Sequence, residues 1–237
     1  MGLLAATWSL VGSARGEART VHGPHRSCSY EETFQAVLVD TPPRRQAAWV
    51  SALLDADASA FRDGLRAELA RACEDGIDAE VRPELDVHCE VPFASRRLVS
   101  VACEGYLYVG GAHGMKSSWT TNVVRGSRRA LRLKDLFRAR SRWRAKLDRL
   151  AAGAFARAVG SDEVDPMHER IPEGGSFVVT RGGLRFYLEN EDPYVTGSVH
   201  PLVAWSALRA VLRPSQRRMF VRNATSRRAM EPRARRP

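Results

Sequence analysis

Val99–Gly114, VSVACEGYLYVGGAHG, decides how this sequence folds. Its first half puts Val99, Val101, Cys103, Gly105 and Leu107 on one parity, the period of a half-buried strand. Its second half places Gly110, Gly111, His113 and Gly114 within five residues, a composition that ends a strand because glycine admits positive φ. Upstream, Leu85–Phe93 alternates in the same way, and Ala94–Arg97 is a short polar turn. A hairpin centred on Arg96 sets Leu85, Val87, Cys89, Val91 and Phe93 opposite Leu107, Gly105, Cys103, Val101 and Val99. One face of that hairpin is then uniformly apolar. A one-residue slip would turn one strand's apolar set outward, so burial enforces a register of this parity.

The register brings Cys89 directly opposite Cys103. Opposed Cα atoms in an antiparallel ladder lie ~4.5–5.5 Å apart, within disulfide reach. A Cys89–Cys103 disulfide is therefore expected. By elimination Cys28 pairs with Cys73, tying the first strand to the end of the first helix. Four buried free thiols are the alternative. No pair of cysteines is spaced C-x-x-C, which speaks against zinc and thioredoxin-like sites.

The 237 residues are enough for one large domain or two small interleaved ones, and 44% hydrophobic with 27% charged residues is a globular composition. No apolar run approaches the ~20 residues of a membrane span. The net charge of +10 is uneven, because Ser215–Pro237 holds eight Arg against one Glu. Basicity is therefore assigned mainly to that tail, with the rest of the chain near balance. At the other end, apolar Leu3–Val11 followed by Gly12–Ala18 resembles the h-region and small-residue cleavage site of a secretory signal, with cleavage after Ala14 or Ala18. Export fits an even cysteine count. Residues 1–27 are read as a signal-like segment and linker, 28–214 as the domain (28–109 its N-terminal part, 110–214 its C-terminal part) and 215–237 as a basic disordered tail.

Within the domain, Tyr30–Val39 predicts a first strand, and Pro42-Pro43 opens a helix running from Arg44 to about Cys73. Its ladder of Trp49, Leu53, Phe61, Leu65 and Leu69 is interrupted at Asp55–Ala58, and Gly76 supplies the C-cap. Lys116–Val124 is a strand, Ala130–Leu133 a short one, and Lys134–Phe137 begins helical structure. Ser141–Val159 is a helix whose stripe of Trp143, Leu147, Leu150, Ala151, Ala154, Phe155 and Ala158 is apolar. Its Arg140, Arg142, Arg144, Lys146 and Arg149 read as a solvated face. Phe177–Thr180 and Leu184–Leu188 form a second hairpin around Arg181-Gly182-Gly183. Pro201 opens a last helix with Leu202, Trp205, Leu208 and Leu212 on one side, and Pro214 stops it. The expected fold class is α+β, a mostly antiparallel sheet with helices packed on one face.

The ordered set Tyr108-Val109-Gly110-Gly111-Ala112-His113-Gly114, Leu131-Arg132-Leu133-Lys134-Asp135-Leu136-Phe137, Phe177–Thr180, Gly183–Tyr187 and Asp192-Pro193-Tyr194 is familiar. It resembles the extracytoplasmic RsiV-type domain, found at the C-terminus of the lysozyme-sensing anti-sigma factor RsiV. A related domain precedes the catalytic module of the peptidoglycan deacetylase PdaC. The resemblance covers roughly Tyr30–Arg213. The family usually has a small residue where Asp192 stands. No paired-aspartate or H-x-x-x-H motif of a deacetylase module is found. The resemblance implies fold and an extracytoplasmic (periplasmic or secreted) location, and neither sigma-factor regulation nor deacetylation.

No residue is assigned a catalytic role, and no metal or cofactor is expected. There is no G-x-S-x-G, no Walker loop and no dinucleotide fingerprint in a βαβ context. Candidate ligand-binding residues are Tyr108, Gly110, Gly111, His113 and Tyr194. Gly110, Gly111 and Gly114 can present backbone N–H groups to an anion or sugar carboxylate, with His113 assisting. The plainer reading gives the glycines to a tight connection needing φ > 0. On the outer hairpin face His88 lies across from Glu104, which reads as a surface ion pair rather than an acid–base couple. The expected function is a non-catalytic binding or sensor-type domain for a cell-wall (peptidoglycan) fragment or a lysozyme-like protein, with the Arg tail contacting an anionic envelope polymer. The alternatives are a cell-envelope enzyme using His113 and nearby tyrosines, or a nucleic-acid binder acting through its basic tail.

Overall fold

A computed structural model describes residues 15–22, 29–36, 44–78, 80–95, 97–124, 129–159, 171, 176–187 and 199–220. The alternating segments become β1 (Arg15–His22), β2 (Ser29–Ala36), β3 (Glu84–Ala94), β4 (Leu98–Tyr108), β5 (Met115–Val124), β6 (Arg129–Ala130), β7 (Ser176–Val179), β8 (Gly183–Tyr187) and β9 (Leu202–Ala204). The helices are α1 (Arg44–Asp75), α2 (Trp143–Val159) and α3 (Trp205–Leu208). One six-stranded sheet runs β1 to β6 in chain order, and a three-stranded sheet runs β7-β8-β9. Pairing is antiparallel between β1 and β2, β5 and β6, β7 and β8, and β8 and β9. Strands β2 and β3 pair in parallel, and α1 supplies the crossover that a parallel pair requires. The class is α+β, as expected.

The chain divides into two compact units. The first is Met1–Arg96 with Cys103–Trp119; the second is Arg97–Ala102 with Thr120–Pro237. The units interleave in sequence rather than separating after residue 109, so β4 and β5 each contribute to both.

In the first unit, Leu85, Val87, Cys89, Cys103 and Leu107 are buried, while Val91 and Phe93 are half-buried. The expected disulfide joins Cys89 and Cys103, with Cα atoms 4.0 Å apart. Cys73 is also disulfide-bonded; its expected partner, Cys28, lies outside the described residues. Helix α1 runs unbroken through Asp55–Ala58, where an interruption was expected. Leu54 and Ala58, four apart, are fully buried, and burial of that face carries the helix across its polar stretch. Gly105 sits beneath α1, since a Cβ there would run into the Leu65 side chain and lie 3.2 Å from the Phe61 ring. Gly76, at φ 93°, ends the helix as its C-cap.

Strand β1 forms where a signal-like segment and linker were read. It pairs along its whole length with β2, from Arg15↔Ala36 to His22↔Ser29. Cleavage after Ala18 would cut this strand in the middle, whereas cleavage after Ala14 would leave it whole.

The second unit corrects the expected last helix. Leu202–Ala204 is a strand on β8, Leu202 is exposed, and α3 is a single turn. Gly183 makes this possible: a Cβ there would strike the Val203 carbonyl, so only glycine lets the third strand approach. Pro214 does not stop a helix; it stands first in a helical segment over residues 214–220, where its missing N–H costs nothing. Phe220 is buried and stacks on Trp205 at 4.4 Å. Residues 215–220 are therefore anchored rather than disordered tail, and 221–237 lie outside the described residues. The expected apolar stripe of α2 buries Leu147, Ala151, Ala154 and Phe155, while Trp143 stacks on Phe137 at 4.6 Å and Ala158 is exposed.

The short 3-10 helix Leu133–Leu136 is held by Asp135, which accepts from the Arg132 backbone N–H at 3.2 Å and side-chain Nε at 3.4 Å. Burial alone would raise the Asp135 pKa, but these bonds and the nearby Arg129 hold it below the ordinary carboxylate value. A carboxyl depressed in the folded state stabilises above its unfolded pKa and loses that contribution as pH falls through its folded value. Asp135→Asn is therefore expected to lower the melting temperature at neutral pH and to match wild type once the pH is below both values. Melting curves across an acid pH series check this.

Candidate functional site

Strand β4 delivers Tyr106 and Tyr108 to the loop Val109–Gly114, all within the first unit. Gly110 and Gly111 adopt φ of 110° and 88°, which L side chains rarely reach. A Cβ at Gly110 would come within 3.2 Å of Val81, so the chain passes tightly against the segment entering β3. The Tyr108 hydroxyl donates to the Gly111 carbonyl at 3.2 Å, closing the loop on its own strand. Gly114 is used differently from the expectation: its φ is not positive, and its missing side chain makes room for the Tyr106 ring. The sequence signal for that use is the pairing of an aromatic at the strand end with a glycine eight residues later.

His113 is exposed and makes no hydrogen bond or ion pair with a described residue. The loop thus brings together Tyr108, Gly110, Gly111 and His113. Tyr194, the fifth candidate, lies outside the described residues. His88, on the outer hairpin face, is exposed, and Glu104 is half-buried. Among the described residues no group of three or more His, Cys, Asp or Glu is placed to hold a metal ion, and no helix is long and apolar enough to cross a membrane.

Two buried polar clusters escaped the sequence reading. In the first unit Glu32 of β2, 3% exposed, takes a two-pronged contact from Arg66 of α1 at 2.6 and 2.9 Å. Arg62, one turn earlier, lies 3.9 Å from the same carboxylate and 4.6 Å from the centre of the Phe34 ring. In the second unit, Ser100 donates to Asn122, and both side-chain oxygens accept from the Val179 N–H at 3.1 Å. The Asn122 amide donates to the Phe177 carbonyl at 2.7 Å. These contacts satisfy the outer edge of β7 with side chains instead of another strand. Thr180 then closes the β7–β8 turn on Gly182 and Gly183, and its carbonyl accepts from the Trp205 indole at 3.0 Å. The signal for the first cluster was legible in principle, because Glu32 falls in phase with Tyr30 and Phe34 on the inward parity of β2.

No protein-family model and no curated protein sequence matches the chain. Solved structures do. The crystal structure of a DUF3298 family member from Bacteroides fragilis NCTC 9343 superposes with a TM-score of 0.61 at 14% identity, covering 91% of this chain and 98% of that one. The chain has the DUF3298 fold. A DUF3298 family protein from Pseudomonas aeruginosa PAO1 gives a TM-score of 0.59 at 15% identity, over 87% of this chain and 96% of its own. DUF3298 is the RsiV-type domain that the GGAHG and LRLKDLF strings resemble, and its function is unknown.

Proposed function

We propose that this DUF3298-type chain is a non-catalytic, extracytoplasmic recognition domain whose Val109–Gly114 loop binds a cell-wall fragment or a lysozyme-like protein. The observation that carries the reading is a preorganised loop with an unengaged histidine. Gly110 and Gly111 set the backbone, Tyr108 fixes it, and His113 is exposed without a described partner. Preorganisation reduces the ordering cost of binding. Acid–base catalysis asks instead for a second group that positions the imidazole. The buried Cys89–Cys103 bond supports an oxidising compartment, since such bonds persist outside reducing cytosol.

Retention on immobilised lysozyme and on peptidoglycan fragments tests this reading. Wild type is expected to be retained on one of the two. His113→Ala should weaken that retention about tenfold, the effect of truncating one central side chain. Its melting temperature should stay unchanged because the side chain is exposed. Gly111→Val, which forces a branched side chain to φ 88°, should weaken retention as well. Absence of wild-type retention on both matrices sinks the proposal.

A further inference from the structure

Charge is partitioned between the two units. The first carries eleven Lys and Arg against sixteen Asp and Glu, and the second twenty-six against eleven. The near balance outside the tail is therefore a cancellation between an acidic unit and a basic one. Among the described residues of the second unit, the acidic side chains are Asp135 and Asp148 alone, facing seventeen basic ones. Both acids are already engaged: Asp135 by Arg132 and Arg129, Asp148 by Arg144 at 3.1 Å and the Ile171 N–H at 3.3 Å.

On α2 the cations are ordered. At 100° per residue Arg142, Lys146, Arg149 and Arg157 fall in one row, opposite the buried Leu147, Ala151, Ala154 and Phe155. Arg142 precedes the helix and continues the row, its carbonyl accepting from Lys146 N–H at 3.3 Å. The gap at Gly153 is filled by Arg157, whose Nη1 lies 3.6 Å from where a Cβ would sit. Arg142, Arg149 and Arg157 are exposed and Lys146 half-exposed, and the row runs about 22 Å at 1.5 Å per residue. Asp148 falls on another face, so no acid interrupts the row. Like charges three and four apart repel, and cations at the start of a helix oppose its dipole. Folding alone does not favour this row.

We propose that the outward face of α2 binds a linear phosphodiester polymer of the cell envelope, of the poly(glycerol phosphate) type. Three of the four cations are Arg, whose planar fork matches phosphate oxygens. A flexible polymer can follow a straight row of this length. Among the described residues the row presents no free aromatic ring on which bases could stack, since Trp143 near its start is stacked on Phe137. Nucleic acid is thus the poorer fit. This surface belongs to the second unit and the Val109–Gly114 loop to the first, and the proposal stands or falls independently of the reading of that loop.

The test measures binding of the full chain to poly(glycerol phosphate) over a range of salt concentrations. Arg142→Gln/Arg149→Gln/Arg157→Gln is compared with Arg233→Gln/Arg235→Gln/Arg236→Gln, which removes the same charge from the C-terminal segment. The α2 variant should lose about tenfold or more in affinity at low salt. Its salt slope should fall by about two to three, at roughly 0.7–0.9 for each phosphate no longer neutralised. It should melt at or above the wild-type temperature because repulsion is relieved, and if it melts below, the single Arg149→Gln is read instead. The C-terminal variant should retain most of the affinity. Wild-type-like binding by the α2 variant, loss confined to the C-terminal variant, or equal or tighter binding of an oligothymidylate or of hyaluronate would each overturn the proposal.

Discussion

Arg66→Met is expected to lower the free energy of unfolding by about 3 kcal/mol, the lower end of the range for removing one partner of a buried ion pair. Glu32 is 3% exposed and takes both Arg66 contacts on its two oxygens. Burial on its own would make Arg66 easier to deprotonate, but the hydrogen bonds to Glu32 outweigh it, so the guanidinium holds its proton more tightly than a free arginine. Methionine keeps the aliphatic packing and leaves the carboxylate with Arg62 at 3.9 Å, which is why the low end applies. The paired change Glu32→Leu/Arg66→Met should cost much less than the single one, since no uncompensated charge remains. Denaturant unfolding of the two variants decides the matter: equal losses would mean that packing of α1 on β2, and not charge pairing, is what Arg66 supplies.

Cys89→Ala/Cys103→Ala is expected to cost a similar amount, about 3 kcal/mol, from the entropy of opening a loop of about fifteen residues. The separation of the two cysteines is 14 residues, both are buried, and they join the two strands that lead into the Val109–Gly114 loop. For a chain of this size such a loss lowers the melting temperature by roughly 6–12 °C. Burial should also protect the bond, so a mild reductant acts only once the first unit opens. Thiol labelling supplies the check. Denatured, unreduced protein should show no reactive thiol, and labelling of native protein in reductant should follow unfolding. Rapid native reduction would contradict the placement of this disulfide in the core.

What could be read from the sequence follows from how each element is stabilised. The β3–β4 hairpin and its disulfide were legible because one apolar face, a short turn and two opposed cysteines allow a single parity of register. Gly110 and Gly111 were legible as positive-φ positions because little but glycine suits them. Strand β1 was not, since its evidence is a backbone ladder with β2 that leaves little trace in side-chain pattern. Strand β9 was hidden for a different reason. Leu202, Trp205, Leu208 and Leu212 carry a helical spacing, and the strand forms because Gly183, nineteen residues earlier, removes the obstacle to it. The Ser100–Asn122 clasp on β7 and the Glu32–Arg66 pair join residues 22 and 34 apart in sequence, and only the folded chain makes them neighbours. The charge of α2 reads as a solvated face from the sequence, and only the partition between units shows that, among the described residues of its own unit, two acids stand against seventeen cations.

Recognition by the Val109–Gly114 loop is tested most directly by titrating isotope-labelled protein with peptidoglycan fragments and, separately, with lysozyme while following backbone amide resonances. In one titration Tyr108, Gly110, Gly111 and His113 should shift together and saturably, and His113→Ala should suppress the shift. Saturable shifts confined to residues outside that loop, or none with either ligand, would contradict it.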